Sequence, residues 1–278
     1  TPGTFLSGWD TLHPEFNFFD YFGRIFFGVW QQHQGLGALA TQAHPSEIAR
    51  MFIYFPMSLV LPAHLLRYSY FFLTLMLGPL GVYYFLKIIV FKQDSVENKA
   101  VSFCASLFYL LNLATLQQFY VPFEMFTTHF ASIGFIFLFA IKFIEDNSRK
   151  ALILYSATVV LSASMAHTST LWFAFFGVFA LSIFILCCLK RDKKVFKNSF
   201  IILALAILIN SFWLLPNLYF ITTGGGIVGQ SKIQALFTEE AFAQNASFGT
   251  LPDLLIFKNF LFNWSQYIGN NTFGPVLS

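Results

Sequence analysis

Residues 169–194 read STLWFAFFGVFALSIFILCCLKRDKK, and this stretch shows the pattern that decides the fold. Its first twenty-one residues carry no charge, and four cationic residues follow within the next five positions. An apolar run of this length can cross the hydrocarbon core of a bilayer as a helix. The basic cluster behind it is typical of a cytoplasmic loop, where Lys and Arg accumulate.

The same pattern recurs through the middle of the chain. Six apolar stretches are predicted to span the membrane: Tyr68–Val90, Ala100–Leu116, Thr128–Ile144, Ala151–Ala166, Ser169–Leu189 and Ser199–Phe220. Every second connection between them is basic, and these connections hold eleven of the sixteen Lys and Arg residues. The positive-inside bias places the basic connections in the cytoplasm and both chain ends outside. We therefore predict an all-α polytopic membrane protein with about six transmembrane helices.

The composition agrees with this class of protein. Hydrophobic residues make up 56% of the chain and charged residues 10%, far from the balance of a soluble domain. The net charge of +3 follows from the basic connections, and no basic face or RNA-binding signature indicates a nucleic-acid partner. The three cysteines lie within or beside predicted spans, so neither a disulfide framework nor a zinc site is expected.

This topology predicts three regions. Residues 1–67 form an extracytoplasmic loop with amphipathic juxtamembrane helices, residues 68–220 form the six-helix transmembrane region, and residues 221–278 form an outer loop or tail. The chain starts at Thr1 on the outer side without a signal peptide, so we expect a transmembrane helix upstream and a longer protein.

The first outer loop has its own helical pattern. Phe16–Trp30 is predicted to form a helix along the outer membrane surface. Pro14, just before it, is well placed as a first helical residue, and Glu15 is favoured by the helix dipole. Its apolar stripe consists of Phe18, Phe22, Ile25, Phe26 and Val29. Met51–Leu66 is broken by two prolines, which indicates a juxtamembrane or re-entrant piece.

Three ionisable residues on the outer side are candidates for acid–base chemistry. Asp10 lies beside Trp9 ahead of the predicted surface helix, and a carboxylate there can act as a base when burial raises its pKa. A helix-capping or solvated Asp is the alternative interpretation. Glu124 is the only charged residue between the second and third spans, and His167 occupies the tightest outer turn.

The order of residues in the first loop resembles the start of GT-C class membrane glycosyltransferases, and in particular the α-(1→3)-arabinofuranosyltransferase-type proteins. The resemblance rests on Asp10-Thr11, Pro14, Phe16, Arg24, Trp30, Gly35, Gly37, Gln42, Phe55-Pro56-Met57 and Leu65-Leu66. Residues 210–216, NSFWLLP, are similar to a motif in a late span of such proteins. The similarity covers about the first 90 residues, and the rest of the chain matches by hydropathy alone.

The resemblance implies an integral membrane enzyme of the plasma membrane. Such an enzyme moves a sugar, for example arabinofuranose, from a polyprenyl-phosphate donor to a cell-envelope glycan or lipid acceptor on the outer face. Asp10, Glu124 and His167 would be the catalytic residues. The substrate-binding residues would be Arg24, His33, Gln42, Arg50 and Arg67. No cofactor is assigned, since a divalent metal ion is compatible with the site but no His or Asp spacing indicates one.

Two other functions are compatible with the sequence. A transporter or lipid flippase would be favoured by ionisable residues in mid-span and by inverted repeats, and the spans contain almost no ionisable groups. A non-catalytic membrane assembly protein would share the hydropathy pattern and would tolerate replacement of Asp10.

Overall fold

The computed structural model describes residues 4–6, 13–28, 30–31, 38–39, 42–120, 123–230, 250–258, 265–269 and 272–275. Within these residues the chain is almost entirely helical, and its strands form two short antiparallel pairs. Strand β1 (Trp30–Gln31) pairs with β2 (Ala38–Leu39), and β3 (Ser265–Gly269) pairs with β4 (Thr272–Pro275). Neither pair is large enough to form a core, so helix packing determines the fold.

Three helices precede the first span in the part of the first loop that the structure describes. They are α1 (Phe18–Phe27), α2 (Ala43–Ser46) and α3 (Ile48–Ser58), and a 3₁₀ turn (Pro14–Phe16) leads into α1. The predicted surface helix is therefore shorter than Phe16–Trp30.

Capping and packing define the bounds and the face of α1. The Asn17 side chain accepts a hydrogen bond from the backbone N–H of Asp20 and so caps the start of the helix, which ends at Phe27 with Gly28 as its C-cap. Phe18 and Phe22 pack edge-on against Phe55 of α3, so the apolar stripe contacts protein along this line.

Between residues 63 and 230, the described part of the chain forms seven further helices. They are α4 (Ala63–Phe85, extended by a π-helical turn at Leu86–Phe91), α5 (Val96–Leu111), α6 (Leu113–Tyr120), α7 (Glu124–Asp146), α8 (Arg149–Leu161), α9 (Ser169–Lys190) and α10 (Lys193–Gln230). A short helix, α11 (Leu251–Leu255), lies beyond them.

Among the described residues, four helices are long and apolar enough to cross a membrane, and α5 with α6 makes five if the bent pair is one span. The chain is thus an α-helical membrane protein, and the predicted count of six spans is approximate. The predicted stretch Ala151–Ala166 consists of α8, which has 13 residues, and a 3₁₀ turn at Ala163–His167.

The bend of 47° between α5 and α6 has a local cause. Asn112 is extended, with ψ near 163°, and interrupts the helical backbone. Its amide nitrogen donates to the carbonyls of Phe108 and Tyr109 at the end of α5, while its amide oxygen accepts from the N–H of Thr115 in α6. One side chain therefore satisfies backbone groups on both sides of the break.

The three basic connections meet at one end of the bundle, as the sequence pattern predicts. Glu145 at the end of α7 lies 2.7 Å from the ammonium of Lys92 and 3.2 Å from that of Lys190. Lys92 follows α4, and Lys190 ends α9. Asn147 and Arg191 adopt left-handed conformations just after α7 and α9, which reverses the chain within a few residues.

Helices α4 and α7 approach each other closely. A Cβ atom on Gly134 of α7 would lie 2.4 Å from the carbonyl carbon of Gly81 in α4, so position 134 must remain glycine for this approach. A core of buried apolar residues, including Tyr155, Phe179 and Ile202, joins α7 to α8, α9 and α10. These contacts pack α7, α8, α9 and α10 against one another.

Candidate functional site

Glu124, the first residue of α7, joins two arginines at the end of the bundle opposite the basic connections. Its Oε1 lies 2.7 Å from Nη1 of Arg50 on α3 and 2.8 Å from Nη2 of Arg67 near the start of α4. All three side chains are buried. The position suits a carboxylate, because the first turn of a helix has a positive dipole end.

Each arginine also contacts a second carboxylate. Nε of Arg67 lies 3.3 Å from Oε1 of Glu15, which the 3₁₀ turn before α1 carries. Nε of Arg50 donates to Oε2 of Glu47 at 2.5 Å, and Glu47 lies in the link between α2 and α3. Both carboxylates are buried, so three segments, namely α7, the 3₁₀ turn and the link between α2 and α3, supply carboxylates to the two guanidinium groups.

A histidine lies at each outer end of this arrangement. Nδ1 of His13 lies 3.0 Å from Oε1 of Glu15, and Nδ1 of His167 lies 3.7 Å from Oε1 of Glu47. The histidine side chains are 26% and 18% exposed, whereas the five charged side chains between them are at most 4% exposed. We call the seven residues, in spatial order His13, Glu15, Arg67, Glu124, Arg50, Glu47 and His167, the ionic chain.

Buried tyrosines pack around the Arg50 and Glu47 end of the ionic chain. The guanidinium carbon of Arg50 lies 5.3 Å from the ring centre of Tyr54, which is fully buried. The Tyr21 ring packs edge-on against His44. Burial raises the pKa of Tyr21 well above its ordinary value. The phenol therefore remains a neutral hydrogen-bonding group.

Burial also raises the pKa of Glu47. Loss of water raises the pKa of its carboxyl, and this effect exceeds the opposing attraction of Arg50 and His167, while Glu124 raises the pKa further. A carboxyl with a raised pKa next to a partly exposed histidine is a typical acid–base arrangement. Proton transfer at this end of the ionic chain is therefore chemically accessible.

The amide side chains of Gln42 and Asn217 connect the segment before α2 to the turn at His167 and to α10. Gln42 donates from Nε2 to the carbonyl of His167 at 3.2 Å, and its Oε1 accepts from Nδ2 of Asn217 on α10 at 2.7 Å. Oδ1 of Asn217 and the hydroxyl of Tyr54 are buried without a hydrogen-bond partner among the described residues. The site thus has unused capacity to bind a polar group.

An open apolar cavity of about 500 Å³ lies beside the Glu47 end of the ionic chain. It is lined by residues of α1, α2, α3, α8 and α10: Ile25, Phe26, Phe27, Gly28, Pro45, Ile48, Phe52, Val160, Phe212 and Pro216. Pro45 and Ile48, which line the cavity, lie within two residues of Glu47 in sequence, so the cavity adjoins the segment that carries Glu47. Such a cavity has the size of a small-ligand site.

The structure brings together five of the eight site residues predicted from the sequence. They are Gln42, Arg50, Arg67, Glu124 and His167. Arg24 lies on α1 and makes no ion pair with another described residue. Asp10 and His33 lie outside the described residues.

The sequence interpretation missed two carboxylates of the ionic chain. Glu15 was expected only to favour the start of a surface helix, but it is buried against Arg67. Glu47 has one local signal, its spacing of three residues from Arg50, which allows a pair on a helix. The described residues contain no group of three or more His, Cys, Asp or Glu side chains suited to a metal ion.

Residues 65–265 match the family model described as "6-pyruvoyl-tetrahydropterin synthase related domain; membrane protein". The match covers more than two thirds of the 278 residues. The chain belongs to this membrane-protein family. Comparison with curated proteins and with solved structures gives no match.

The 6-pyruvoyl-tetrahydropterin synthase related region contains only part of the ionic chain. Arg67, Glu124 and His167 lie within residues 65–265, while Glu15 and Glu47 precede them. The family region therefore supplies the transmembrane side of the site, and the preceding loop supplies the carboxylates that close it.

Proposed function

We propose that the protein is an integral-membrane glycosyltransferase that moves a sugar from a polyprenyl-phosphate donor to a cell-envelope glycan or lipid acceptor. One observation carries the proposal: a buried group of arginines, carboxylates and a histidine adjoins an open apolar cavity at the end of the bundle away from the lysines. A lipid-linked phosphosugar has the matching chemistry, because it joins an apolar chain to an anionic phosphate.

The arginines support binding of the phosphate. Arg50 and Arg67 present planar guanidinium groups, which bind phosphate as well as carboxylate through paired hydrogen bonds. In this proposal the donor phosphate replaces part of the contact with Glu124 or Glu47. Gln42, Arg24 and His33 contact the sugar or the acceptor.

The proposed reaction needs a base for the acceptor hydroxyl. The acceptor oxygen bonds the anomeric carbon and gives its proton to Asp10, while the bond from that carbon to the phosphate oxygen breaks. The electron pair leaves with the polyprenyl phosphate, which the arginines hold. Glu124 and His167 are the other candidates for the base.

The orientation of the site is also part of the proposal. The lysine-rich end of the bundle favours the cytoplasmic side of the plasma membrane, so the ionic chain faces outward. A donor that stays in the bilayer then meets its acceptor at the outer surface.

A second function is a non-catalytic membrane assembly protein. The internal pairing of the ionic chain favours it, since Arg50 and Arg67 already have carboxylate partners and clamp the first loop onto the bundle. In that case the apolar cavity would be a packing defect and the charges would be structural.

Asp10→Asn distinguishes the two functions. The full chain is placed in vesicles with a polyprenyl-phosphate sugar and an acceptor glycan, and the product is measured by mass spectrometry. We expect the variant to insert normally and to lose about 10²–10⁴-fold in rate, as for a missing base.

Asp20→Asn is the matched control, because Asp20 is an exposed acid of the same loop that only caps α1 with Asn17. Equal rates for the two variants would remove Asp10 as the base. Absence of transfer by the unaltered protein with polyprenyl-phosphate sugars would favour the assembly protein.

A further inference from the structure

The ionic chain contains more carboxylates than guanidinium groups. Glu15, Glu47 and Glu124 alternate with Arg67 and Arg50, which gives three acids for two arginines. All five side chains are almost completely buried. With both terminal histidines neutral, the described part of the site would hold one uncompensated negative charge.

An isolated buried charge is expensive, and a protein usually removes it by binding a proton. The proton can reside only where a titratable group is available. The ionic chain reaches solvent only at its two ends, at the pair of His13 with Glu15 and the pair of Glu47 with His167. Glu124 is the third acid, and it lies within 2.8 Å of both guanidinium groups.

The two terminal pairs differ in their hydrogen bonding. Nδ1 of His13 makes a hydrogen bond of 3.0 Å with Glu15, which a neutral imidazole can donate without an extra proton. Nδ1 of His167 is buried, has no hydrogen-bond partner among the described residues, and lies 3.7 Å from Oε1 of Glu47. A hydroxyl on Oε1 of Glu47 would give this nitrogen a donor after a small closure of the gap.

We infer that Glu47 is a protonated carboxylic acid at neutral pH, with its Oε1 hydroxyl directed at Nδ1 of His167 and its Oε2 accepting from Arg50. The ionic chain is then electrically neutral. The elements around Glu47 contribute Tyr21 from α1, Arg50 from α3, Glu124 from α7 and His167 from the turn before α9. Among these described groups only Arg50 carries a fixed positive charge.

Two further observations support this assignment. Desolvation raises the pKa of the Glu47 carboxyl, which favours the acid form. His167 is partly exposed at the rim of the site, so a proton can pass between solvent and the buried carboxyl through its ring.

The inference also bears on ligand binding, and this step rests on the proposed function. A neutral Glu47 attracts Arg50 less than a carboxylate does, so an incoming phosphate can take the guanidinium at lower cost. The phosphate would bind without leaving an ionised, unpaired carboxylate behind it.

Infrared spectroscopy of the purified full chain tests the inference. The protein is held in an ester-free detergent, because lipid ester carbonyls absorb near the C=O band of a protonated carboxyl. We expect this band at pH 7, its loss on titration to alkaline pH, and its absence at pH 7 from Glu47→Gln. Glu145→Gln is the matched control and should retain the band, because Glu145 pairs with two lysines at the other end.

Variants of the two terminal histidines show whether Glu15 or Glu47 carries the proton. They also test the inference if Glu47→Gln does not fold. His167→Gln should shift the frequency of the band, because it replaces the acceptor of the hydroxyl, and His13→Gln should leave it unchanged. A shift in His13→Gln alone would assign the proton to Glu15 and overturn the inference. So would the absence of any such band at pH 7.

The measurement uses neither donor nor acceptor, so its result is independent of the transfer assay. A Glu47 band in a protein without transferase activity would leave the inference intact and reject the proposed function. Sugar transfer by a protein that lacks the band would support the proposed function and reject the inference about Glu47.

Discussion

Helix α7 carries the same motif at both ends, a glutamate between two cationic residues. Glu124 at its start lies between Arg50 and Arg67, and Glu145 near its end lies between Lys92 and Lys190. The surroundings differ, because the Glu124 side chain is 4% exposed and that of Glu145 is 20% exposed with lysines about half exposed. Burial, rather than the pairing pattern, separates a candidate functional site from a solvated surface cluster.

The largest expected effect tests this contrast directly. Glu124→Gln removes a carboxylate that two buried guanidinium groups share, so it should lower the free energy of unfolding by about 3–5 kcal/mol. Glu145→Gln makes the same chemical change among exposed lysines and should cost less than about 1 kcal/mol. Denaturant titration in mixed micelles measures both values, and equal losses would contradict the contrast.

Sequence reasoning predicted the lysine-rich end better than the buried end. Apolar runs and basic connections are local properties, so residues 169–194 predict a span and its flanking cluster without knowledge of any contact. The buried end depends on contacts between distant residues, such as Glu15 with Arg67 and Arg50 with Glu124. No periodicity records those contacts, and five of the eight predicted residues converge there because outer loops concentrate polar groups.

The helix bounds show the same limit. The first span was predicted to begin at Tyr68, but α4 begins at Ala63 and includes His64 and Arg67. Hydropathy excludes these polar residues from a span, whereas Glu15 and Glu124 make Arg67 tolerable inside the structure. The small residues before His167 look like the end of a span in sequence, but they form a 3₁₀ turn that places His167 beside Glu47.

An intermediate effect is expected where α4 and α7 touch. These two helices carry residues of both ends, so their spacing affects the buried site and the exposed cluster together. Gly134→Ala would place a Cβ 2.4 Å from the backbone carbonyl carbon of Gly81, so the two helices would have to separate. We expect this to lower the free energy of unfolding by about 1–3 kcal/mol.

Gly177→Ala provides the control for that prediction. Apart from its chain neighbours and the backbone of its own helix, no atom of the described residues lies within 4 Å of a Cβ at Gly177 in α9, and alanine favours a helix over glycine by about 0.5–1 kcal/mol. The control should therefore unfold at the same denaturant concentration as the unaltered protein or at a higher one. If Gly134→Ala behaves in the same way, α4 and α7 are not in close contact.

The smallest effect is expected at Asp94, in the exposed connection after α4. Its carboxylate lies 3.0 Å from the ammonium of Lys99 and 3.6 Å from that of Lys87, and the hydrogen bond from Lys99 is the main cause that lowers its pKa. A lowered pKa contributes stability above the ordinary value for Asp, near 3.9, and that contribution disappears as the pH falls through the native value. At pH 7 the contribution is complete but screened by water and salt, so Asp94→Asn should leave the Tm unchanged within error. A large fall in the Tm would mean that this connection is enclosed, and the distinction between the two ends of α7 would then need a cause other than burial.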